Sequence, residues 1–549
     1  MMLILSLGTV ALLFAGWRLW RRLRFSLHVF QLHGYKIGEY ARWLIKRPFN
    51  YVFRLSHVLG AGVLLLSYPL AGAVSDRALA AAMLGLWCVV FASSRRYRSE
   101  REKKPLVWTN RLKRLGLLTA VIVTVPIVAS VLVVLLLRIL DLPHALIPDT
   151  RLVLRALLLG DLIAPLAVIG AAILLEPVEA FFRSGFKRKA RHVLETHPDL
   201  KVIAITGSYG KTSVKFIIAE ILRQRYQVLA TPGSYNTPMG ICKVINNDLQ
   251  PNHQVLVVEM GARYPGDIAE LCDLVEPQLA VITNVGVAHL ESMGSIEAIA
   301  HEKGTLARRV VSGGTVVLNA DDPHVLAMAQ ETAAHVTTIS TEGNPAELSA
   351  SDIHYGPHGA SFVVRDDHGA EQAFTTRLLG KHNVANILMG IAVGQSMGLR
   401  LRQIAHAVRR VEPVEHRLHL RSEGQVLVID DAFNSNPVGA INAVEILGQF
   451  RTGRRIIVTP GMIELGMREE EENRSFGQAI AGNADLAILV GHERTRPIVG
   501  GLLAAEFPEQ QIRVVSTLFE ARDFLKGYLQ AGDVVLYEND LPDQYDEPA

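Results

Sequence analysis

The stretch that decides the fold is Lys201-Val-Ile-Ala-Ile-Thr-Gly-Ser-Tyr-Gly-Lys-Thr-Ser213. Its apolar, β-branched start predicts a strand, its glycines predict a turn, and the apolar pattern of Val214–Leu222 predicts a helix. Such a unit presents backbone N–H groups and the positive end of a helix to phosphates, while a lysine neutralises charge and a hydroxyl reaches Mg²⁺. The stretch therefore predicts a nucleoside triphosphate site. Its Gly207-x-x-Gly210-Lys-Thr spacing is shorter than the general phosphate-binding loop.

Length and composition predict several structural units, one of them in a membrane. The chain has 549 residues, of which 49% are hydrophobic, and its mean hydropathy of +0.24 is high for a wholly soluble protein. A net charge of +3 gives no reason to expect nucleic acid binding. Cys88, Cys242 and Cys272 lack metal-type spacing, which favours reduced thiols in a cytoplasmic setting.

The first part of the chain predicts a transmembrane domain over residues 1–175. Its apolar stretches, each read as a span, are residues 2–17, 55–74, 78–94, 115–140 and 152–175. The first stretch lacks a basic n-region and a small-residue cleavage site, so we expect an uncleaved anchor rather than a signal peptide.

The loops between these stretches predict the orientation. Residues 18–54 and 95–114 are rich in Lys and Arg, whereas the alternate loops carry little more than Arg77 and Arg151. The positive-inside bias then places the N-terminus outside and residues 176 onward in the cytoplasm, as in a multi-pass protein of a bacterial-type cytoplasmic membrane. The basic loops either report topology alone or contact anionic headgroups or a lipid pyrophosphate. Asp161 either marks a functional site within a span or pairs with a nearby arginine such as Arg155.

Residues 176–200 are basic and amphipathic, which predicts an interfacial connector helix that places aromatic side chains among lipid headgroups. Residues 201–410 then alternate strand and helix patterns, which predicts a mostly parallel sheet covered by helices. The predicted strands are Val202–Thr206, Val255–Glu259, Leu279–Thr283 and Thr315–Asn319.

Polar residues follow these strands at the edge where such sheets bind ligands. Glu259 is a sensible second Mg²⁺ ligand and a neutral His289 imidazole a third. Taken alone, Glu259 is as easily an ordinary strand-end residue, and His289 an ordinary loop histidine.

Residues 411–549 predict a smaller α/β domain. Its strands are expected at Val426–Ile429, Arg455–Val458, Ala487–Val490, Ile512–Val515 and Val534–Tyr537. The acidic ending that starts at Glu538 predicts a frayed tail.

A series of motifs occurs in the order seen in one enzyme family. The motifs are Gly207-Ser-Tyr-Gly-Lys-Thr-Ser213, Glu259-Met-Gly-Ala262, Asn284-Val-Gly-Val-Ala-His-Leu-Glu291, Lys303-Gly304, Gly380-Lys-His-Asn-Val-Ala-Asn386 and Asp430-Asp-Ala-Phe-Asn-Ser-Asn-Pro437. Over residues 200–540 the chain resembles the Mur ligases, and most of all the branch that adds D-alanyl-D-alanine to UDP-muramoyl-tripeptide. The resemblance implies a P-loop central domain and a Rossmann-like C-terminal domain.

The sequence departs from this family in three places. The apolar region stands where the family has its UDP-binding domain, Gly461 stands where this branch usually has aspartate, and the ending is acidic where the family's is usually basic.

The resemblance also implies roles for single residues, with ATP and Mg²⁺ as cofactors. Implied at ATP are Gly207, Ser208, Tyr209, Gly210, Lys211, Thr212, Ser213, Asn386 at the adenine, Arg417 at a phosphate and Asp431 at the ribose. Implied at Mg²⁺ are Thr212, Glu259, His289 and Lys303 as a carbamate, and Lys211, His289 and Lys303 are the expected catalytic residues. Asn236, Thr237, Glu464 and His492 are the expected substrate contacts.

These residues predict amide ligation through an acyl phosphate. The expected partners are ATP, an amino acid or dipeptide amine, membrane lipids and a muramoyl-peptide carboxylate. The sequence leaves open whether that carboxylate is lipid-linked, UDP-linked or a capsule-type substrate. An ATP-driven transporter or sensor and an inactive binding homologue remain as alternatives.

Overall fold

The computed structural model describes residues 2–46, 48–71, 73–92, 105–140, 146–433, 435–463 and 465–540. These residues form two compact units, the first ending at Phe182 and the second beginning at Arg183. Residues 93–104, 141–145 and 541–549, which include parts of the predicted basic loop and acidic tail, lie outside the described residues.

The regular secondary structure described in the first unit is helical, apart from one isolated β-bridge between Ala71 and Val74. Its helices are α1 Met2–Leu32, α2 Ile37–Lys46, α3 Pro48–Tyr51, α4 Leu55–Leu70, α5 Asp76–Ala92, α6 Asn110–Ile139 and α7 Leu146–Glu195, whose last residues belong to the second unit. The apolar stretches of the sequence lie in α1, α4, α5, α6 and α7.

Two segments of these helices are long and apolar enough to cross a membrane. They are Asn110–Leu137 and Pro148–Glu195, whereas Leu55–Leu70 is apolar but shorter. Two such helices are weak evidence for a membrane domain, so the five spans and their orientation stay predictions.

α7 differs from the predicted connector because no helix boundary falls at residue 176. The helix continues through Pro165 and Pro177 to Glu195, which is possible where the backbone groups freed by proline find other partners. In the second unit its apolar side chains Ala190, Val193 and Leu194 pack in a protein core. This part of the predicted interfacial surface is therefore buried against protein.

Asp161 lies in a buried ion-pair cluster that joins α1, α4 and α7. Its Oδ2 accepts hydrogen bonds from Arg18 at 2.9 Å and Arg22 at 3.0 Å, and it lies 2.8 Å from His57 Nε2. The suggested partner Arg155 instead contacts Tyr68. The pairing with Arg155 was wrong because α1, far away in sequence, supplies the arginines, and sequence separation gives no hint of that packing.

The central part of the second unit is built on one nine-stranded sheet. Its strands are β1 Lys201–Thr206, β2 Val228–Ala230, β3 Val255–Glu259, β4 Leu279–Ile282, β5 Thr315–Asn319, β6 His335–Ser340, β7 Leu348–Gly356, β8 Gly359–Asp366 and β9 Glu371–Thr376. The spatial order is β2-β3-β1-β4-β5-β6-β7-β8-β9, parallel up to β7 and antiparallel beyond it. The predicted parallel sheet is confirmed.

Helices cover both faces of this sheet. They are α8 Lys211–Leu222, α9 Pro238–Asp248, α10 Asp267–Val275, α11 Leu290–Met293, α12 Ile296–Arg309, α13 Pro323–Ala327, α14 His382–Ser396 and α15 Leu401–Val408. Along β1, Ile203 and Ile205 pack in the core with α8 and α14, whereas Val202 and Ala204 pack in the core with α9 and α10. A strand buried on both faces reads as a continuous apolar run, which is the pattern of Lys201–Thr206.

The last part of the chain forms a second α/β sheet. Its strands are β10 His419–Glu423, β11 Val426–Asp431, β12 Arg455–Thr459, β13 Leu486–Val490, β14 Ile512–Val515 and β15 Val534–Glu538, in the order β10-β11-β15-β12-β13-β14. Its α-helices are α16 Pro437–Leu447, α17 Glu469–Ala481, α18 Arg496–Ala504 and α19 Leu518–Tyr528. All pairs are parallel except β10 with β11.

The predicted frayed tail is wrong at its start. Glu538 is the last residue of β15 and fully buried, and Asn539 is 6% exposed. Residues 541–549 lie outside the described part of the chain.

Candidate active site

The glycine-rich loop after β1 lies where the strand order of the central sheet reverses. β1 lies between β3 and β4. The connection after β1 leads toward β2 and the connection after β3 leads toward β4, in opposite directions along the sheet. A crevice therefore opens at the carboxyl ends of these strands. Gly207 and Gly210 adopt φ of +148° and +80°. A Cβ on Gly207 would lie 1.8 Å from Thr283 Oγ1, and one on Gly210 would lie 2.7 Å from Asn386 Oδ1. Both positions therefore require glycine.

Neighbouring residues hold the loop in place. The backbone N–H groups of Ser208 and Tyr209 donate to the carbonyl and side-chain oxygens of Asn284, each at 2.9 Å. Thr283 Oγ1 donates to the carbonyl of Tyr209 at 2.6 Å. The loop conformation is thus set by the adjacent strand β4 before any phosphate binds.

Lys211 and Ser213 lie in the first turn of α8, directly after the loop. Lys211 Nζ donates to the carbonyls of Gly207 at 2.8 Å and Ser208 at 3.1 Å. Burial lowers the pKa of Lys211, and the charge of Glu259 opposes that effect. The amine lies over the loop, where the sequence predicts phosphate.

Glu259, at the end of β3, is the buried carboxylate of the site. Its Oε2 accepts from Thr212 Oγ1 at 2.8 Å and lies 3.4 Å from Lys215 Nζ, while its Oε1 accepts from Asn236 Nδ2 at 3.1 Å. Burial opposes its ionisation, but Lys211 and Lys215 hold its pKa below the usual value. An ionised carboxylate beside a threonine hydroxyl supplies the oxygen ligands that Mg²⁺ prefers.

Arg417 connects this cluster to the C-terminal sheet. Its Nη2 lies 3.3 Å from Thr212 Oγ1, and its guanidinium lies 4.8 Å from the centre of the Phe433 ring. Asp431, at the end of β11, accepts from the backbone N–H of Leu418 at 3.1 Å. Burial raises the pKa of Asp431 to about 7, against the opposing effects of that hydrogen bond and of Arg417.

Lys303 is buried on α12. Burial and the charge of Lys211 together lower the pKa of Lys303 to about 7, and the charge of Glu302 opposes that shift. Glu302 is itself fixed, because it accepts from the backbone N–H groups of Gly266 and Ile268, each at 2.8 Å. A lysine amine with this pKa is largely deprotonated at slightly alkaline pH.

The remaining predicted metal and adenine residues are His289 and Asn386. His289 has a φ of +63° and precedes α11. Asn386 lies against Gly210, and its Nδ2 donates to Asn383 Oδ1 at 2.9 Å. Among the residues that the structure describes, no three His, Cys, Asp or Glu side chains gather in a metal-binding group. Thr212 and Glu259 supply adjacent oxygen atoms of the kind that Mg²⁺ prefers, and the metal-binding roles of all four residues remain predictions.

The predicted substrate contacts are scattered. Asn236 touches Glu259, and Thr237 caps α9 through the backbone N–H of Gly240. His492 follows β13 and Ser516 follows β14, and His492 Nε2 lies 3.4 Å from Ser516 Oγ. Glu464 lies outside the described residues.

Sequence reasoning missed one charged residue of this site. Lys215 is fully buried on α8, where its Nζ donates to the carbonyl of Gly233 besides facing Glu259. The signal available in the sequence was its position one helical turn after Lys211, which places both lysines on the same side of α8.

A cavity of about 870 Å³ opens beside this cluster. Thr212 and Phe216 of α8, Tyr235, Arg417 and Phe433 are among the residues that line it. The residues that line it come from α8, from the loop before α9, from residues 410–417 and from Phe433 after β11.

The sequence matches two family models. Residues 205–394 match the Mur ligase middle domain, and residues 416–537 match the Mur ligase glutamate ligase domain. These residues contain the loop, Glu259, Lys303, Arg417 and Asp431.

Curated relatives share the same name. The UDP-N-acetylmuramoyl-tripeptide–D-alanyl-D-alanine ligase of Mycobacterium tuberculosis H37Rv is 35% identical over 54% of this chain and 59% of the relative. The ligases of that name from Mycobacterium leprae and Escherichia coli K12 are each 31% identical, and this chain covers 70% and 69% of them. The chain thus spans 59% to 70% of these relatives' length.

Solved structures agree on the fold. MurF from Acinetobacter baumannii superposes with a TM-score of 0.59 at 25% identity, covering 66% of this chain and 78% of that one. MurF from Thermotoga maritima, solved in complex with ADP, gives a TM-score of 0.58 at 24% identity over 65% and 80% of the two chains.

The fold and the loop thus define an α/β protein of the phosphate-loop class. The chain belongs to the Mur ligase family, as its motifs predict, and the named relatives are those of the D-alanyl-D-alanine-adding branch.

Proposed function

We propose that this protein is an ATP-dependent ligase that joins a carboxylate to an amine through an acyl phosphate. The observation that carries this proposal is the convergence of Lys211, Thr212 and Glu259 with Arg417 beside one cavity. Lys211 and Arg417 are positively charged and can neutralise part of the negative charge of a triphosphate. Phosphoryl transfer is catalysed mainly by positioning and by neutralising such charge.

The reaction proceeds in two balanced steps. A carboxylate oxygen of the substrate attacks the γ-phosphorus of ATP, and the bond from that phosphorus to the β-phosphate oxygen breaks to release ADP. The amine nitrogen then attacks the acyl carbon, an amide bond forms, and inorganic phosphate leaves with one of the original carboxylate oxygens. The ammonium must lose a proton before or during the second step.

Thr212 and Glu259 would hold one Mg²⁺ ion, which supplies charge neutralisation at the β- and γ-phosphates. Lys211 would lie over the phosphates, and Arg417 would reach them from the C-terminal sheet. Asp431 would contact the ribose, Asn386 the adenine and His289 a second ion, in line with their motifs.

Lys303 is well suited to become a carbamate. The reaction requires a neutral amine to add to CO₂, with loss of one proton from nitrogen. Burial and the nearby Lys211 supply that neutral amine, since they hold the pKa of Lys303 at about 7. The product is an anion beside Lys211, which suits its predicted role as a ligand of the second Mg²⁺.

The names of the relatives support D-alanyl-D-alanine as the amine and a muramoyl-tripeptide as the carboxylate. The loops at the carboxyl edge of β11, β12 and β15 would receive the amine, because this edge of such a sheet binds ligands. A capsule-type carboxylate is the alternative within the same chemistry.

We further propose that the first unit lies in a membrane. Its support is the exposed apolar surface of α6 and α7, where Leu117 is 70% and Leu174 is 64% exposed, since large apolar patches are rarely left in water. A lipid-linked carboxylate could then reach the ligase domains. Extraction of the chain from membranes by alkaline carbonate would contradict membrane insertion.

The ligase proposal is tested by ADP release from the purified full chain. We expect release that requires Mg²⁺, D-alanyl-D-alanine and either UDP-linked or lipid-linked muramoyl-tripeptide, and the two carboxylates supplied separately identify which is used. Lys211→Ala should lower turnover by about 10³-fold, because a charge next to the transferred phosphoryl group is lost. The matched control is Lys201→Ala, at the exposed far end of β1, which should keep wild-type turnover. ADP release that needs no amine would contradict the proposal.

A further inference from the structure

A buried acid at the end of β15 plays no part in the proposed ATP site. Glu538 is fully buried although it ends the central strand of the C-terminal sheet. It lies in register with Asp431 on β11. A buried carboxyl group without hydrogen-bond donors would cost several kcal/mol of stability, so its partners are informative.

Two hydroxyl groups from different loops converge on this carboxyl group. Thr459 Oγ1, at the end of β12, donates to Glu538 Oε2 at 2.7 Å. Ser435 Oγ, from the loop after β11, donates to Glu538 Oε1. The carboxyl group therefore bridges the loops that follow the two strands flanking β15.

Asn539 adds a second bridge. Its Nδ2 donates to the carbonyl of Gly461 at 2.7 Å, and its backbone N–H donates to the carbonyl of Asp431 at 3.1 Å. Thr459 Oγ1 also accepts from the backbone N–H of Gly461 at 3.0 Å. Glu538 and Asn539 thus connect the end of β15 to the loops that follow β11 and β12.

Gly461 has its own place in this arrangement. Its φ is +77°, and a Cβ there would lie 2.7 Å from Asn473 Oδ1. The aspartate that this branch of the family usually carries would not fit this backbone without a shift. In this chain the acid of the loop cluster comes from β15 instead.

We propose that Glu538 is a positioning residue that sets the spacing of the Ser435 and Gly461 loops, and thereby shapes the site of the incoming amine. The inference rests on the proposed function, since only a ligase needs an amine site at this edge. Glu538 does not touch the substrate; it acts through the two loops.

The protonation of Glu538 fits this role. Burial raises its pKa to about 8, the charge of Asp431 raises it further, and the two hydroxyl groups oppose the shift. At pH 7 the group is largely neutral, so it bridges the loops without placing a buried charge beside Asp431.

The test compares Glu538→Gln with Glu538→Ala in the full chain. Glutamine keeps the size and can bond both hydroxyl groups, so we expect a wild-type KM for D-alanyl-D-alanine. Alanine removes both bonds, and we expect that KM to rise about tenfold while the KM for ATP stays within about twofold. The matched control is Glu423→Gln, at an exposed position on β10, with no expected change. An unchanged amine KM in a folded Glu538→Ala protein overturns the proposal.

Two further variants keep the proposal testable when Glu538→Ala is not available as a folded protein. If Glu538→Ala fails to fold, Thr459→Val and Ser435→Ala each remove one hydroxyl group and should each raise the amine KM; unchanged values overturn the proposal.

The thermal midpoint as a function of pH also reports on the bridge when no ligase activity is found. A carboxyl group with a raised pKa in the folded state contributes stability that is complete below its unfolded pKa of about 4.5 and is lost as pH rises through about 8. The wild-type midpoint should therefore fall over this range more steeply than that of Glu538→Gln. Equal slopes of the thermal midpoint against pH in the two proteins would contradict a neutral bridge at Glu538. Unequal slopes without amine-dependent turnover would contradict only the ligase proposal.

Discussion

Lys303 shows how a single buried side chain can acquire a chemistry that its sequence position does not reveal. A lysine on a helix is usually solvated, but this one is 4% exposed and close enough to Lys211 to be affected by its charge. The environment of α12 therefore makes the amine neutral near physiological pH. This neutral amine is the condition for carbamate formation.

The carbamate can be tested by controlling CO₂. We expect turnover to fall in CO₂-free buffer and to recover when bicarbonate is added, because the carbamate forms reversibly. Lys303→Ala should lose about 10²-fold in turnover, the scale of removing one charged group near the transition state, and should not respond to bicarbonate. Wild-type turnover that is the same with and without CO₂ would contradict a carbamate on Lys303.

The motifs predicted which polar residues lie at the strand ends better than they predicted the partners of those residues. The strand-end position of Glu259 was visible as a carboxylate after an apolar run, and the structure places it beside Thr212. The predicted fraying at Glu538 was wrong because the hydroxyl groups of Ser435 and Thr459 donate hydrogen bonds to its buried carboxyl group. Those partners are distant in sequence, so no local pattern could reveal them.

Among the elements, the loop between β1 and α8 depends most directly on backbone geometry. Gly210 needs a positive φ and also a close approach to Asn386. Gly266 has a similar φ of +93°, but a Cβ there would meet nothing within 4 Å. Comparing alanine substitutions at the two glycines therefore distinguishes the effect of backbone strain from the effect of crowding against Asn386.

We expect Gly210→Ala to abolish ATP binding and Gly266→Ala to preserve it. Both substitutions should destabilise the protein by about 1 kcal/mol, because an alanine is strained in the left-handed region. Isothermal titration with ATP and Mg²⁺, together with thermal unfolding of both variants, measures the difference. Equal ATP affinities for the two variants would show that contact with Asn386 does not shape the loop.

Element boundaries were predictable where a strand is buried on both faces. Val255–Glu259 and Thr315–Asn319 coincide with the observed β3 and β5. The strands β7, β8 and β9 were missed because they leave the parallel core and expose alternate residues, as the burial along β8 shows. Their mixed polarity resembles that of loops when a sequence is scanned for apolar runs.

At the scale of the whole molecule, the division into two units follows the division of the sequence. Apolar helices make up the first unit, and the charged, motif-rich remainder forms the α/β unit. The ion pairs of Asp161 with Arg18 and Arg22 belong to the first unit and bring α1 and α7 together. Removing one member of such a buried cluster usually costs several kcal/mol, so we expect the loss of Arg18 or Arg22 to destabilise the first unit.

Within the second unit, the proposed chemistry would draw residues from both sheets. The central sheet supplies the phosphate loop and Glu259, and the C-terminal sheet supplies Asp431 and the loops bridged by Glu538. Arg417 lies in the segment between them and contacts Thr212. This division suits a reaction in which one ligand is activated on one sheet and captured on the other.

An acyl phosphate transfers an oxygen atom from the substrate carboxylate to phosphate, and this transfer can be followed with an isotope. Muramoyl-tripeptide labelled with ¹⁸O in the reacting carboxylate is incubated with the full chain, ATP, Mg²⁺ and D-alanyl-D-alanine, and the released phosphate is examined by mass spectrometry. We expect one ¹⁸O atom in each phosphate, because the oxygen that attacks ATP leaves with phosphorus. Phosphate without ¹⁸O, released alongside the amide product, would contradict the acyl phosphate.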